Sequence, residues 1–306
     1  MSGDTLLERT RLAMSVEQVN PGYLENLCDE INGRIQRGDL MIAILPLEAI
    51  EVMAEGYGRA ALAGNVNAWR KLGICYLEHA AEHTMAWPSE YPFPDQADDP
   101  EVAALRCFTE AAGRGDRAAV LLFARASRDA SDEALEYALE LLDPLLADDP
   151  NGVARYEYAL VEYHLDQTEE AAANHQQAAA LGNADAMFEL YVLYNAGDGV
   201  PHDPDQARQW LLRAAELNQN RALYNLGACH ATGNGGFPKN EATALQYYER
   251  SAEAGNTKAA GTLGVMYLTG NGAPLDRRSA ARWLDLAQAN GLDVEDWLDT
   301  FGLDRP

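Results

Sequence analysis

The residues with the clearest potential for catalysis lie in the segment His79-Ala-Ala-Glu-His83. Two histidines four residues apart share one face of a helix, where they can bind zinc, and Glu82 would then be the general base of a metallopeptidase. A third ligand could come from Glu157 or Glu162. A five-residue match is unsurprising in a chain rich in Glu and Ala. We therefore favour a solvated helix end over a metal site formed by His79, Glu82 and His83, and we predict no cofactor and no enzymatic activity.

Glycine-rich turns at 197–199, 233–235 and 270–272 could be mistaken for phosphate-binding loops. A P-loop needs Gly-Lys-Ser or Gly-Lys-Thr at the start of a helix that follows a strand. In this chain Lys239 is followed by Asn240, and no strand pattern precedes it. The regular spacing of the turns accounts for their glycines, so we predict no nucleotide site.

The segments that contain these turns form a sequence repeat with three copies, at offsets of 36 and 37 residues. Apolar residues spaced i, i+4, i+8 give each copy one buried stripe on a helix. The three stripes are Ala186, Leu190 and Tyr194; Ala222, Leu226 and His230; and Ala259, Leu263 and Tyr267. A Gly-x-Gly turn and a second helix with small and aromatic residues follow each stripe. The pattern predicts stacked α-helical hairpins.

The hairpins resemble the Sel-one-like repeat (SLR), a relative of the tetratricopeptide repeat. The resemblance rests on the Leu-Gly pairs at 226–227 and 263–264, the Gly-x-Gly turns, and second helices that contain Ala-x-x-Trp or Ala-x-x-Tyr. It implies an all-α fold, a right-handed α-solenoid of helix-turn-helix repeats with helical end caps. Proteins of this architecture usually present a surface to a partner.

The resemblance weakens towards the N-terminus, which gives four segments. Residues 1–44 are expected to form a helical cap and a degenerate repeat start, and 45–182 divergent repeats with an insertion at 84–100. Residues 183–291 hold three regular repeats, and 292–306 a capping helix. Trp297 of that helix has the alternative role of a dimer contact. The four cysteines are interpreted as small core residues.

The insertion at 84–100 is a candidate binding loop because four prolines forbid a helix there. Aromatic residues alternate with the prolines, and acidic residues follow. The predicted contact residues are Trp87, Tyr91, Phe93, Asp95, Asp98 and Asp99. Tyr and Trp are common at interface hot spots. The alternative is that the rings fold back over the groove that the missing regular turn leaves open.

A second candidate surface is the inner face of the first helices, at positions outside the apolar stripe. Its residues are Phe188, Glu189, Tyr191, Tyr224 and Asn225. Tyr191 stands where the two following repeats have Gly227 and Gly264. A ring at a glycine position indicates either local repacking or a contact with a partner, and the sequence favours neither.

The charge of the chain narrows the class of partner. Forty-eight acidic and 23 basic residues give a formal net charge of −25 and a pI near 4.4. This charge disfavours nucleic acid and anionic membranes and favours a basic protein, although solubility alone would also account for it. No apolar run predicts a membrane span or a signal peptide, so we expect a cytoplasmic protein.

The resemblance to SLR proteins implies a non-catalytic interaction module, an adaptor or scaffold that holds another protein in its concave groove and by the 84–100 loop. An alternative within the same resemblance is a bacterial immunity protein (an antitoxin) that neutralises a basic toxin. Electrostatic steering would suit rapid capture of such a toxin. The partner itself and the oligomeric state are left open by the sequence.

Overall fold

A computed structural model describes residues 3–15, 20–36, 46–79 and 99–306. Within these ranges the chain is helical and contains no β-strand. It divides into two compact units, Met1–Leu145 and Leu146–Pro306. The all-α class and the helix-turn-helix architecture predicted from the repeat pattern are confirmed.

The first unit is built from helical hairpins of uneven length. Its helices are α1 (Gly3–Met14), α2 (Pro21–Gln36), α3 (Pro46–Leu62), α4 (Val66–His79), α5 (Pro100–Ala112), α6 (Arg117–Ala126) and α7 (Asp132–Leu142). Helix α2 packs against α3, and α4 packs against α5. In the sequence the insertion lies between α4 and α5. Large apolar side chains fill the space between them, including Leu24, Leu72 and Phe108.

The second unit contains four hairpins and a short final helix. Its helices are α8 (Val153–His164), α9 (Thr168–Ala180), α10 (Ala184–Ala196), α11 (Pro204–Glu216), α12 (Asn220–Thr232), α13 (Glu241–Glu253), α14 (Thr257–Thr269), α15 (Arg277–Ala289) and α16 (Val294–Asp299). Each hairpin pairs consecutive helices, from α8 with α9 to α14 with α15. Helix α16 packs against α14 and α15 and buries Val294 and Leu298.

Asparagines at the starts of α10 and α14 both begin a helix and join it to the preceding hairpin. The side-chain oxygen of Asn183 accepts a hydrogen bond from the backbone N–H of Ala186, and its Nδ2 donates to the carbonyl of Gly152 at 3.1 Å. Asn256 accepts from Ala259 in the same way and donates to the carbonyl of Asn220. An N-cap contributes about 1 kcal/mol to a helix. Here the same side chain also fixes the spacing between repeats.

Three hairpins pack by inserting a side chain of the second helix against a glycine of the first. A Cβ at Gly227 would lie 2.8 Å from Cδ1 of Tyr248, so no larger residue fits without displacement of the ring. The corresponding distances are 2.5 Å in the other two hairpins. The pairs are Gly73 with Phe108, Gly227 with Tyr248, and Gly264 with Leu284.

The turns within successive hairpins of the second unit lie against one another. Gly199, with a φ of +63°, has no room for a Cβ because the carbonyl oxygen of Thr168 occupies that position. The hydroxyl of Tyr163 donates to Oδ2 of Asp198 at 2.8 Å. Gly236, in the turn after α12, lies against the guanidinium of Arg208 on α11. The turns at 165–167, 197–203 and 233–240 are together called the turn edge.

None of the helices in the described ranges combines the length and the apolar character of a membrane span.

Candidate functional site

Most of the predicted binding loop and metal motif lies outside the described residues. This applies to Trp87, Tyr91, Phe93, Asp95, Asp98, Glu82 and His83, while His79 is the last residue of α4. Asp99 is described: its carboxylate caps α5 by accepting hydrogen bonds from the backbone N–H groups of Glu101 and Val102. The binding loop, and the interpretation of the His79 segment as a solvated helix end, thus stay predictions.

The two glutamates considered as a third zinc ligand are both buried in α8. Glu162 accepts a hydrogen bond from Nδ2 of Asn174 at 2.8 Å, and burial raises the pKa of its carboxyl group. Among the residues that the structure describes, no group of three or more His, Cys, Asp and Glu side chains is arranged to hold a metal ion.

Phe188 corrects one prediction made from the repeat pattern, because it does not lie outside the core. Its side chain is 6% exposed and belongs to the apolar cluster between α9 and α12. The guanidinium carbon of Arg221 lies 4.3 Å from the ring centroid, and Nη2 of Arg221 donates to Oε1 of Glu189 at 2.7 Å. Arg221 therefore covers Phe188 and links α12 to α10. Glu189 is half-buried and engaged in this ion pair.

Tyr191 lies beside Phe188 and lines a cavity of about 280 Å³, here called the Tyr191 cavity. Its walls come from α10, α11, α12 and the turn after α12. They include Tyr191, Asn195, Arg208, Leu211, Cys229 and Phe237. Burial raises the pKa of both the Tyr191 hydroxyl and the Cys229 thiol, so both groups are neutral at pH 7. The cavity wall is part apolar and part polar, and its polar residues include Asn195, Asp205 and Arg208.

Tyr224 and Asn225, on α12, do not line the Tyr191 cavity. The ring of Tyr224 packs at 5.5 Å against Tyr248, and both Tyr224 and Asn225 are half-buried. The structure thus brings together Phe188, Glu189 and Tyr191 on α10 and places Tyr224 and Asn225 on the neighbouring first helix. Whether any of these five contacts a partner stays a prediction.

Among the four hairpins of the second unit, the net negative charge lies on the first two, and the C-terminal residues 293–306 add five acidic residues and one basic residue. Residues 146–219 hold 13 acidic and three basic residues, whereas residues 220–292 hold five acidic and seven basic residues. The formal charges are therefore −10 and +2. Several of the acidic side chains are exposed on the first two turns of the turn edge or next to them: Asp166, Glu169, Glu170 and Asp205.

Arg221, Leu211 and Phe237 are the residues of this region that sequence reasoning missed. Leu211 occupies the column that holds Tyr248 and Leu284 in the following repeats, so an alignment of second helices identifies it. Arg221 stands 33 residues after Phe188, and nothing in the spacing indicates that its side chain reaches back across one repeat. Phe237 lies in an irregular turn with no periodic signal.

Comparison with known proteins identifies the repeats. The Sel1 repeat model matches residues 184–219, 220–256 and 259–292. A Sel1 repeat protein from Oxalobacter formigenes is 36% identical over 42% of this chain and 96% of its own, with a TM-score of 0.40. Immunity protein Pa5087 from Pseudomonas aeruginosa is 19% identical over 78% of this chain and 88% of its own, with a TM-score of 0.49.

Among proteins of curated function, none matches the chain significantly. The family model and the Oxalobacter protein both identify the Sel1 repeat. The match covers three consecutive hairpins, and the Oxalobacter protein is matched over almost its whole length. The chain therefore belongs to the Sel1 repeat family.

Proposed function

We propose that this protein is a non-catalytic interaction module, an adaptor or scaffold, whose second unit binds a basic partner protein. The observation that carries the proposal is the division of charge between residues 146–219 and 220–292. A charge distributed for solubility alone would be spread over all four hairpins. Concentration on two adjacent hairpins instead gives a local field that attracts a positively charged surface and accelerates encounter.

Conformation supports the same proposal, because hydrogen bonds hold some of the acidic side chains in place. Asp198 accepts a hydrogen bond from the hydroxyl of Tyr163, and Asp203 caps α11. Preorganised charge needs less ordering when a partner binds. The 84–100 loop, with Trp87, Tyr91 and Phe93, is a second contact region in this proposal.

The first test is capture of the partner by immobilised full-length protein at low salt, followed by titration of the purified pair at several NaCl concentrations. We expect a basic protein whose Kd rises steeply with salt. A single basic toxin bound at sub-nanomolar Kd would identify an immunity protein. Micromolar binding of several basic proteins would identify an adaptor. An acidic partner, or binding that does not depend on salt, would contradict the proposal.

A matched pair of variants locates the contact. Glu169→Gln with Glu170→Gln removes two negative charges from the turn edge, and Glu253→Gln with Glu295→Gln removes two from the other half of the unit. Both pairs are exposed, so neither should unfold the protein. We expect the first pair to weaken binding about tenfold or more and the second to change Kd less than twofold. Equal effects would indicate a diffuse field and no local site.

A further inference from the structure

The Tyr191 cavity exists because one repeat breaks the packing rule of its neighbours. In the two regular repeats that follow, a glycine on the first helix receives a side chain of the second helix, Tyr248 or Leu284. In the repeat of α10 and α11 the glycine position holds Tyr191, and the facing column holds Leu211. With a ring already on α10, Leu211 cannot seat against the helix backbone as its counterparts do. The space left beside them is the cavity.

The lining of the cavity defines what it can hold. Tyr191 and Phe237 supply two aromatic walls, and Leu211 and Pro204 supply aliphatic ones. A volume of about 280 Å³ lies just below the ~300–1,000 Å³ of small-molecule sites and suits one large side chain. Offset or edge-on contacts between aromatic rings add about 0.5–1.5 kcal/mol to simple burial. Asn195, exposed on the wall, can pair with the backbone of an extended segment.

The surroundings of the cavity define what must flank that side chain. Asp205 lies on its wall, and its carboxylate pairs with Arg208 at 2.9 Å, so this pair leaves no net charge inside. Outside, the repeat of residues 184–219 carries six acidic and two basic residues, and the preceding hairpin, residues 153–183, carries five acidic residues and one basic residue. A pocket with aromatic and aliphatic walls at an acidic edge matches a hydrophobic residue that is bordered by cations.

We propose that the Tyr191 cavity receives an aromatic side chain from an extended segment of the partner protein, with lysine or arginine on either side of it. This inference rests on the proposed function and specifies its contact. The aromatic ring enters between Tyr191 and Phe237, and the flanking cations lie along the turn edge.

The chain contains a built-in probe of the cavity. All four cysteines are free; Cys28, Cys75 and Cys107 are buried, and only Cys229, on the cavity wall, is partly exposed. Alkylation of the native full-length protein by iodoacetamide should therefore modify Cys229 first. A side chain seated in the cavity would slow that reaction.

The experiment measures the alkylation rate of Cys229 with three capped tripeptides: Lys-Trp-Lys, Lys-Ala-Lys and Glu-Trp-Glu. We expect Lys-Trp-Lys to slow alkylation at least fivefold at saturation, and the other two to have less than a twofold effect. Equal protection by Lys-Ala-Lys would reduce the site to an acidic surface and overturn the proposal. Equal protection by Glu-Trp-Glu would remove the role of the flanking cations.

A double variant closes the cavity by giving this repeat the packing of the next one. Tyr191→Gly with Leu211→Tyr reproduces the pair Gly227 and Tyr248. We expect a melting temperature close to the native one, slower alkylation of Cys229 without peptide, and no further protection by Lys-Trp-Lys. Unchanged protection would overturn the proposal. If the double variant does not fold, Phe237→Ala serves as the test, because it removes one aromatic wall at a turn. We expect this variant to bind Lys-Trp-Lys at least fivefold more weakly.

The double variant also separates this inference from the proposed function. If the captured partner binds the double variant as tightly as the native protein, the cavity is not the contact, but the interaction module stands. If no basic partner is captured from any lysate, the proposed function fails, whatever the peptides do.

Discussion

Single side chains determine which parts of the second unit are core and which are surface. Phe188 and Tyr191 stand three residues apart on α10, with ring centroids 5.6 Å from each other. Arg221 covers the first ring, whereas the second faces a cavity. The cation over Phe188 is worth about 0.5–2 kcal/mol, depending on its exposure to solvent. A residue of the next repeat thus turns a predicted contact residue into a core residue.

Truncation of Phe188 tests this assignment. We expect Phe188→Ala to lower the free energy of unfolding by about 3–5 kcal/mol, because it leaves a cavity among buried apolar neighbours. The control is Val192→Ala on the same helix, where the side chain is 42% exposed and the cost should stay below about 1 kcal/mol. Urea unfolding followed by circular dichroism measures both. Similar costs for the two variants would place Phe188 on the surface.

His175, on α9, makes the stability of the second unit depend on pH. Its ring is 2% exposed, Nδ1 has no hydrogen-bond partner, and burial lowers its pKa from 6.5 to about 4. Above pH 6.5 the ring is neutral in both the folded and the unfolded state. Between pH 6.5 and 4 the unfolded chain takes up a proton that the folded one does not. The free energy of unfolding therefore decreases as the pH is lowered from 6.5 to 4, by up to about 1.4 kcal/mol per pH unit.

The control for this prediction is His175→Gln, which removes the titrating group. Glu162, whose pKa is raised in the folded state, contributes a slope of the opposite sign, and it is present in both proteins. The difference between their unfolding free energies therefore isolates His175. A difference that stays constant from pH 7 to 5 would show that His175 has the same pKa in the folded and the unfolded state.

In three hairpins a glycine on the first helix faces a large side chain on the second helix. The repeat pattern in the sequence predicted only part of this packing. The Leu-Gly pairs at 226–227 and 263–264 identified the repeat, and in the structure their glycines receive the side chains of Tyr248 and Leu284. Periodicity sufficed for this because the same residue types recur at a fixed offset. Periodicity could not predict the Tyr191 cavity. A tyrosine at a glycine position can lead either to local repacking or to an open cavity. Only the positions of α11 and the turn after α12 decide between them.

Addition of one methyl group tests the rule at the level of the hairpin. Gly227→Ala places a Cβ 2.8 Å from the Tyr248 ring, and we expect a loss of about 1–3 kcal/mol. Gly113→Ala is the control, because its φ is −60° and the nearest atom to a new Cβ is 3.4 Å away. This second change should be neutral or stabilise by up to about 1 kcal/mol. Thermal unfolding of the two variants compares them, and equal losses would show that the glycine column does not determine helix approach.

Across the whole chain, the net charge of −25 adds self-repulsion to the folded state and, under our proposal, favours a basic partner. Composition alone predicted an acidic protein that favours basic partners. It did not predict the concentration of charge on two hairpins, although a count repeat by repeat finds it. Which acidic side chains meet on one edge depends on contacts such as that between Tyr163 and Asp198, which only the fold supplies.

Self-repulsion of this charge should make the melting temperature depend on ionic strength. We expect it to rise by several degrees between 0.02 and 0.3 M NaCl, because ions screen exposed charges beyond roughly 10 Å at 0.1 M. Sucrose at matched osmolality controls for general solute effects. A melting temperature that does not change with NaCl would mean that the exposed carboxylates are already compensated within each unit.

The most direct measurement of the central claim is hydrogen–deuterium exchange of the full-length protein with and without its captured partner. We predict slower exchange in peptides that cover the turn edge of the first two hairpins, residues 163–172 and 195–208, and little change over 241–290. Protection confined to 241–290, or to the 84–100 insertion, would contradict the claim that the acidic half of the second unit forms the binding site.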